Sequence, residues 1–148
     1  VKYNKSYVTI DSKHDSYLHQ HCAVNVVSKE CTESDGYKDK SIEEIYELLV
    51  ASTDGLVIIT SGGNDMIYGR KGQLMKHMKP FSVDVKSTLG AGDTFKAGCV
   101  YGLLHGMEDD ELVRFASACS AIAISRFPLP LNPPTLLEVN SLLENTKK

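Results

Sequence analysis

Blocks of apolar and polar residues alternate along the chain in a way that predicts strands and helices in turn. The strand runs are rich in β-branched residues and are bounded by turn residues. The central run, 56–60, is continuously apolar, which is typical of a strand buried on both faces. The predicted strands cover residues 7–10, 23–27, 56–60, 66–68 and 74–78, the last two forming a hairpin around 69–72.

Helical spacing of apolar residues predicts the remaining elements. Two of the helices begin with a capping box, in which the first side chain and the Glu three residues later satisfy each other's backbone N–H groups. These boxes start at Ser41 and Thr135. The predicted helices are 42–51, 90–105, 112–126 (capped by Asp109 or Asp110) and 135–143. Residues 12–20 are predicted to form a short helix or loop, and residues 80–85 to be extended. The four prolines of 127–134 exclude a helix there.

This order of elements predicts a single α/β domain over residues 1–148, with a largely parallel sheet flanked by helices. In such sheets, ligands bind beyond the carboxyl ends of the strands. The segments to examine for function are therefore Thr60-Ser61-Gly62 and the glycine-rich stretch around Gly90.

Composition narrows the possible functions. Hydrophobic residues make up 42% and charged residues 24% of the chain, as in ordinary globular proteins. The net charge of −3 argues against a nucleic-acid-binding protein, and no run of about 20 apolar residues predicts a membrane span. The four cysteines form no C-x-x-C pair, so we interpret them as buried thiols of a cytoplasmic protein. His19 and His21, beside Cys22, have no second cluster at zinc spacing, and we interpret them as surface histidines.

The stretch 87–95, Ser-Thr-Leu-Gly-Ala-Gly-Asp-Thr-Phe, contains the strongest candidate chemistry. Gly90 and Gly92, with the small Ala91 between them, permit a tight turn and a close approach of the backbone to a ligand. A helix follows directly, and the unpaired N–H groups at its start favour an anion. Asp93 lies within this positive environment, where it could accept a proton from a hydroxyl. Together these groups suit phosphoryl transfer to an alcohol.

The stretch 87–95 also permits other interpretations. Asp93 could be an ordinary helix-capping residue. A dinucleotide-binding fingerprint needs a third glycine at the position that Phe95 occupies, so a dehydrogenase is disfavoured. The chain also contains no phosphate-binding loop of the G-x-x-x-x-G-K-[ST] type.

Residues 88–95 resemble the C-terminal signature of the ribokinase-like (PfkB) carbohydrate kinases, D-T-x-G-A-G-D-x-F. The chain also resembles that family at residues 57–62, 115–121 and 134–139. At residues 27–29 and 88–89 it is most similar to the family's ketohexokinase-like branch. The resemblance implies a ribokinase-like fold. It also implies that Asp93 is the catalytic base and that Gly90, Ala91 and Gly92 form the anion hole. Nucleotide contacts would come from Thr60, Gly62 and Ser117, and Mg²⁺ would accompany ATP.

The sequence also departs from the family pattern. Ser87 replaces the first Asp of the signature, which leaves activation by a monovalent cation in question. The family's N-x-x-E motif, which organises Mg²⁺, is not intact, because Cys31 stands at the Glu position and Glu30 lies one residue away. Glu30 is therefore the candidate metal-associated carboxylate.

The resemblance covers only the C-terminal half of such a kinase and leaves out the glycine-rich sugar-binding half. It implies ATP-dependent phosphorylation of a sugar hydroxyl, with ATP and a small sugar as partners. The alternatives are a non-catalytic nucleotide-binding fragment of the same fold, or a kinase of that fold acting on a nucleoside or vitamin. Pairing with a second copy of the chain or with a missing N-terminal half remains open, and the sequence does not name the sugar.

Overall fold

The computed structural model describes residues 7–128 and 131–146, which form two compact units, one ending at Lys79 and the other beginning at Pro80. The first unit contains all five strands and three helices, and the second contains three helices. The strands are β1 (Val8–Ile10), β2 (Val24–Ser28), β3 (Leu56–Thr60), β4 (Met66–Gly69) and β5 (Lys76–Met78). The helices are α1 (Tyr17–His21), α2 (Lys29–Thr32), α3 (Ile42–Ala51), α4 (Ala91–Leu104), α5 (Asp109–Ile124) and α6 (Leu136–Asn145).

The sheet confirms the predicted α/β class. Its strands lie in the order β1-β2-β3-β4-β5, and β1, β2 and β3 are parallel. The hairpin β4–β5 then adds two antiparallel strands beside β3. The register of β2 and β3 pairs Ser28 with Thr60, so both residues lie at the carboxyl edge of the parallel strands.

One face of this sheet packs against α3. Val27, Val57 and Ile59 alternate along their strands and belong to the same buried cluster as the helix. The capping box predicted at Ser41 is present, and it fixes the start of α3 so that its apolar stripe faces the sheet. The buried residues of this stripe are Ile45, Tyr46, Leu49 and Val50.

His19 departs from the sequence-based interpretation as a surface residue, because its side chain is fully buried. The ring Nε2 lies 2.8 Å from the carbonyl oxygen of Leu49, and Nδ1 lies 2.8 Å from Nδ2 of Asn25. A carbonyl only accepts, so Nε2 carries the proton and Nδ1 accepts from the amide. The neutral imidazole thus links α1 to α3 and β2, and burial lowers its pKa from the usual 6.5.

We expect the stability of the protein to depend on pH through His19. Its folded pKa lies below 6.5, so its contribution is complete above that pH and is lost as the pH falls from there through the lowered value. Urea unfolding between about pH 7.5 and pH 5 measures this loss. His19→Ala should reduce the free energy of unfolding by about 3 kcal/mol and flatten the pH dependence. His21→Ala is the control, and an unchanged pH slope in His19→Ala would contradict the assignment.

The second unit is a packed set of three helices. Gly102 of α4 lies opposite Leu112 of α5, and Ala91 lies opposite Ser120, so α4 and α5 run antiparallel. The helix α6 covers part of α5, with Val139 buried among apolar α5 side chains. These α5 residues are Phe115, Ala118, Cys119 and Ile122.

The close approach of α4 and α5 depends on Gly98. A Cβ atom at this position would lie 2.7 Å from Cα of Ala116, which is backbone and cannot rotate away. We expect Gly98→Ala to lower the free energy of unfolding by about 2 kcal/mol. Gly92→Ala in the same helix is the matched control, because its Cβ would meet nothing within 4 Å. Equal stability of the two variants in urea denaturation would contradict this packing.

One detail of the predicted secondary structure is wrong. The N-cap of α5 is Glu108 rather than Asp109 or Asp110, so that helix begins earlier than its apolar pattern indicates. Residues 80–85, predicted to be extended, lie outside the helices and strands. Within 127–134, Leu129 and Pro130 lie outside the described residues. No helix in the described part of the chain is long and apolar enough to cross a membrane.

Candidate functional site

The glycine-rich stretch forms a turn that leads directly into α4. Gly90 is the N-cap and adopts the left-handed conformation, with φ of 80°, which a residue with a side chain rarely adopts. The turn is closed by a hydrogen bond of 3.1 Å from the Ala91 N–H to the Thr88 carbonyl oxygen. The Leu89 N–H donates to Oγ of Ser87. Ser87, which stands in place of the first Asp of the signature, therefore supports the turn.

The first turn of α4 presents backbone donors without acceptors. In residues 7–128 and 131–146, neither the Gly92 N–H nor the Asp93 N–H has an acceptor. A Cβ atom at Gly92 would meet no neighbouring atom within 4 Å, so the space beside this turn is open. Two free N–H groups at the positive end of a 14-residue helix suit an anion such as a phosphoryl group.

Asp93 is exposed and stands in the first turn of α4. The interpretation of Asp93 as a helix-capping residue is not supported, because Gly90 is the N-cap and no side chain makes a capping hydrogen bond. In the described residues, the Asp93 carboxylate has no hydrogen-bond partner. It is therefore free to accept a proton from a ligand hydroxyl placed beside the open N–H groups.

The end of α5 holds this turn in place through contacts that the sequence did not reveal. Oγ of Ser120 donates to the Ala91 carbonyl oxygen at 3.1 Å. The Lys86 and Ser87 N–H groups both donate to the Ile124 carbonyl oxygen, at 2.7 and 3.2 Å. A serine on a helix gives no local signal of such a role, because its partner is 29 residues away in the chain.

A cavity of about 480 Å³ opens beside Asp93 within the second unit. Its volume is within the range of small-molecule sites. The rings of Tyr101 and Phe115 form a stacked pair on one side, with centroids 4.9 Å apart. Thr135 and Cys119 also line the cavity, which is mostly apolar apart from Asp93 and the threonines. The Asp93 carboxylate thus lies beside both an apolar cavity and the open backbone N–H groups of the turn.

In the first unit, the other predicted nucleotide residues lie at the carboxyl edge of the sheet. Thr60 ends β3 and is half-buried, and Gly62 follows in a turn with φ of 58°. Next to them, Ser28 receives support from Asp11, whose Oδ1 accepts the Ser28 N–H at 2.6 Å. Asp11 itself has a positive φ of 50°, an uncommon conformation for a residue other than glycine. Asp11 has no local sequence signal, because its role depends on pairing between separate strands.

Two predicted site residues have less distinctive surroundings. Ser117 is buried within α5 and does not line the cavity. Glu30 is exposed on α2. Within the described residues, no three His, Cys, Asp or Glu side chains form a group that could hold a metal ion.

The cysteines are free thiols, as predicted. Cys22, Cys99 and Cys119 are buried, and Cys31 is half-buried. Burial raises the pKa of Cys99 to about 12 and that of Cys119 to about 11, so both thiols react slowly at neutral pH.

The chain was compared with known proteins. Residues 17–134 match the pfkB family carbohydrate kinase. The chain is 32% identical to 5-dehydro-2-deoxygluconokinase of Shouchella clausii over 103 residues, which are 69% of this chain and 31% of that protein. It is 36% identical to the ribokinase of Haemophilus influenzae over 89 residues, 60% of this chain and 29% of that protein. The chain thus spans about a third of the length of these curated relatives.

Solved structures show the same fold. The Thermotoga maritima ribokinase aligns with a TM-score of 0.82 at 21% identity, covering 97% of this chain and 50% of that protein. A putative ribokinase II from E. coli, in complex with ATP and Mg²⁺, aligns with a TM-score of 0.74 at 18% identity, covering 87% of this chain and 41% of that protein. The fold is ribokinase-like, and the chain belongs to the pfkB family of carbohydrate kinases.

Proposed function

We propose that this chain carries the phosphoryl-transfer site of an ATP-dependent kinase that phosphorylates a sugar hydroxyl. The observation that carries the proposal is the start of α4, where open backbone N–H groups and an exposed carboxylate are adjacent. Membership of the carbohydrate kinase family supports this choice of reaction.

In the proposed reaction, Gly90, Ala91 and Gly92 form the anion hole. Their backbone, at the positive end of α4, stabilises negative charge on the transferred phosphoryl group. Asp93 takes the proton from the acceptor hydroxyl, whose oxygen attacks the γ-phosphorus of ATP while the bond to the β-γ bridging oxygen breaks. The products are the phosphorylated sugar and ADP.

Thr60, Gly62 and Ser117 are the proposed nucleotide contacts. Mg²⁺ would be held mainly by the phosphates of ATP, as is usual for this ion, so a cluster of protein ligands is not required. Glu30 is the proposed carboxylate for it, since its side chain is exposed. When bound, Mg²⁺ neutralises phosphate charge and favours transfer.

The proposed partners are ATP and a small sugar, and the proposed location is the cytoplasm, because the four cysteines are free thiols. The relatives are named for particular sugars, but this chain spans only about a third of each of those proteins. Their names therefore do not assign a sugar to this chain. The alternative to a kinase is a non-catalytic nucleotide-binding chain of the same fold.

Calorimetric titration of the 148-residue chain with Mg·ATP tests the nucleotide site. Saturable binding that Gly92→Val weakens would support the proposal, and absence of binding by a chain that is folded by circular dichroism would contradict it. Transfer to a sugar panel, followed by ³¹P NMR, then separates the kinase from the non-catalytic alternative, since only the kinase forms a sugar phosphate.

A further inference from the structure

A charged contact in the second unit joins the chain just after α5 to the first turn of α6. The Arg126 guanidinium Nη2 lies 2.6 Å from Oε1 of Glu138, and Nη1 lies 3.4 Å from Oε2. Nη1 also donates to Oδ1 of Asn132 at 3.1 Å and approaches the carbonyl oxygens of Asn132 and Pro133. The Arg126 side chain is 19% exposed and the Glu138 side chain is 40% exposed, so the pair is partly shielded from solvent. We call this set of contacts the Arg126–Glu138 clamp.

Glu138 has a second function in the same contact. Its Oε2 accepts the Thr135 N–H at 2.8 Å and the Thr135 hydroxyl at 2.9 Å, which completes the capping box of α6. Hydrogen bonds from Arg126 and Thr135 lower the pKa of Glu138 to about 2, so the carboxylate is ionised throughout the physiological range. One carboxylate therefore caps α6 and binds the guanidinium at all working pH values.

The clamp adjoins the candidate site through two separate segments of the chain. In one segment it holds Pro133 and Thr135, which line the cavity beside Asp93. In the other, Arg126 follows Ile124, whose carbonyl oxygen supports the chain leading into the Gly90 turn. A shift of the α5 end would thus move the cavity wall and the support of the anion site together.

We propose that Arg126 and Glu138 are positioning residues for the proposed phosphoryl transfer, which hold the cavity wall and the glycine turn in their ligand-binding arrangement. The inference rests on the proposed function. It adds that nucleotide affinity depends on a charged pair that contacts neither of the proposed anion donors nor Asp93. A charged pair whose effect was confined to folding would leave that affinity unchanged.

The chain offers variants that separate positioning from folding. Glu138→Gln removes the charge but keeps a side chain that can complete a capping box. Ser41→Ala removes the equivalent capping hydroxyl from α3 in the first unit and leaves both members of the ion pair and the cavity lining in place. Arg126→Gln breaks the clamp. Arg126→Lys keeps the positive charge but lacks the planar guanidinium, so it should weaken Mg·ATP binding less than Arg126→Gln does.

The first measurement does not require kinase activity. Cys119 lines the cavity and is 9% exposed, whereas Cys99 is fully buried and lies outside the lining. We expect Arg126→Gln and Glu138→Gln to raise the alkylation rate of Cys119 by iodoacetamide about fivefold, with Cys99 unchanged. Peptide mass spectrometry resolves the two thiols. An unchanged Cys119 rate, or a parallel rise at Cys99, would overturn the proposal.

The second measurement is Mg·ATP affinity by calorimetry. Arg126→Gln and Glu138→Gln should raise Kd about tenfold and Arg126→Lys less, whereas Ser41→Ala should lower Tm and leave Kd within about twofold of wild type. Faster alkylation with unchanged Kd would overturn the positioning role. Absence of Mg·ATP binding by the wild type would count against the proposed function instead, and the Cys119 rates would still decide whether the clamp holds the wall.

Discussion

Replacing Asp93 with Asn is expected to lower the rate of the proposed phosphoryl transfer by about 10²- to 10⁴-fold, the range that a general base contributes. Asparagine has nearly the same size but cannot take the acceptor's proton. The fold should tolerate the change, since the Asp93 side chain is exposed and makes no capping hydrogen bond. The loss should appear in kcat, with little change in affinity for Mg·ATP.

The control for Asp93→Asn is Glu111→Gln, which removes one negative charge at the equivalent first-turn position of α5. Both variants lose a favourable interaction with a helix dipole, worth about 0.5 kcal/mol, so their unfolding should be similar. Steady-state phosphorylation of sugars by both variants provides the measurement. Turnover of Asp93→Asn within about tenfold of the wild type would mean that Asp93 only stabilises the helix.

Replacing Gly92 with Val is expected to weaken Mg·ATP binding by at least about tenfold, equivalent to about 1.4 kcal/mol. The branched side chain would occupy the open space beside the turn, where the proposed phosphoryl group must approach the Gly92 and Asp93 N–H groups. No protein atom lies within 4 Å of the added Cβ, so the variant should fold normally.

A graded series tests this interpretation by calorimetry. Gly92→Ala should bind Mg·ATP with an affinity between those of the wild type and Gly92→Val, because the obstruction grows with side-chain size. Thermal unfolding of each variant provides the control for folding. Equal affinities across the series would rule out an anion hole at this turn.

Local patterns predicted much of the fold because they reflect local physics. The capping boxes at Ser41 and Thr135 depend on residues three apart, and both are present. The apolar run of β3 predicted a buried strand, and the structure confirms it. The cap of α5 was misplaced, because Glu108 caps the helix without a side-chain hydrogen bond and so lacks the usual sequence signal.

In the candidate site, too, short-range features could be predicted from the sequence and long-range contacts could not. Residues 87–95 identified the glycine turn and Asp93, since the conformation of a short glycine-rich segment before a helix depends mainly on its own residues. The sequence could not identify Asp11, whose partner Ser28 is 17 residues away. Nor could it show that His19, in a polar segment, would be buried between α3 and β2.

The sequence by itself determined the class of fold, the family signature, and the turn with its adjacent carboxylate, because each depends on spacing within a short segment. Only the tertiary structure decided which groups support that turn and line the cavity beside it. Ser120 contacts the chain near Ala91, and Arg126 joins Glu138, because helix packing brings distant residues together. These contacts depend on how side chains fill the space between helices, which no pattern along the chain specifies.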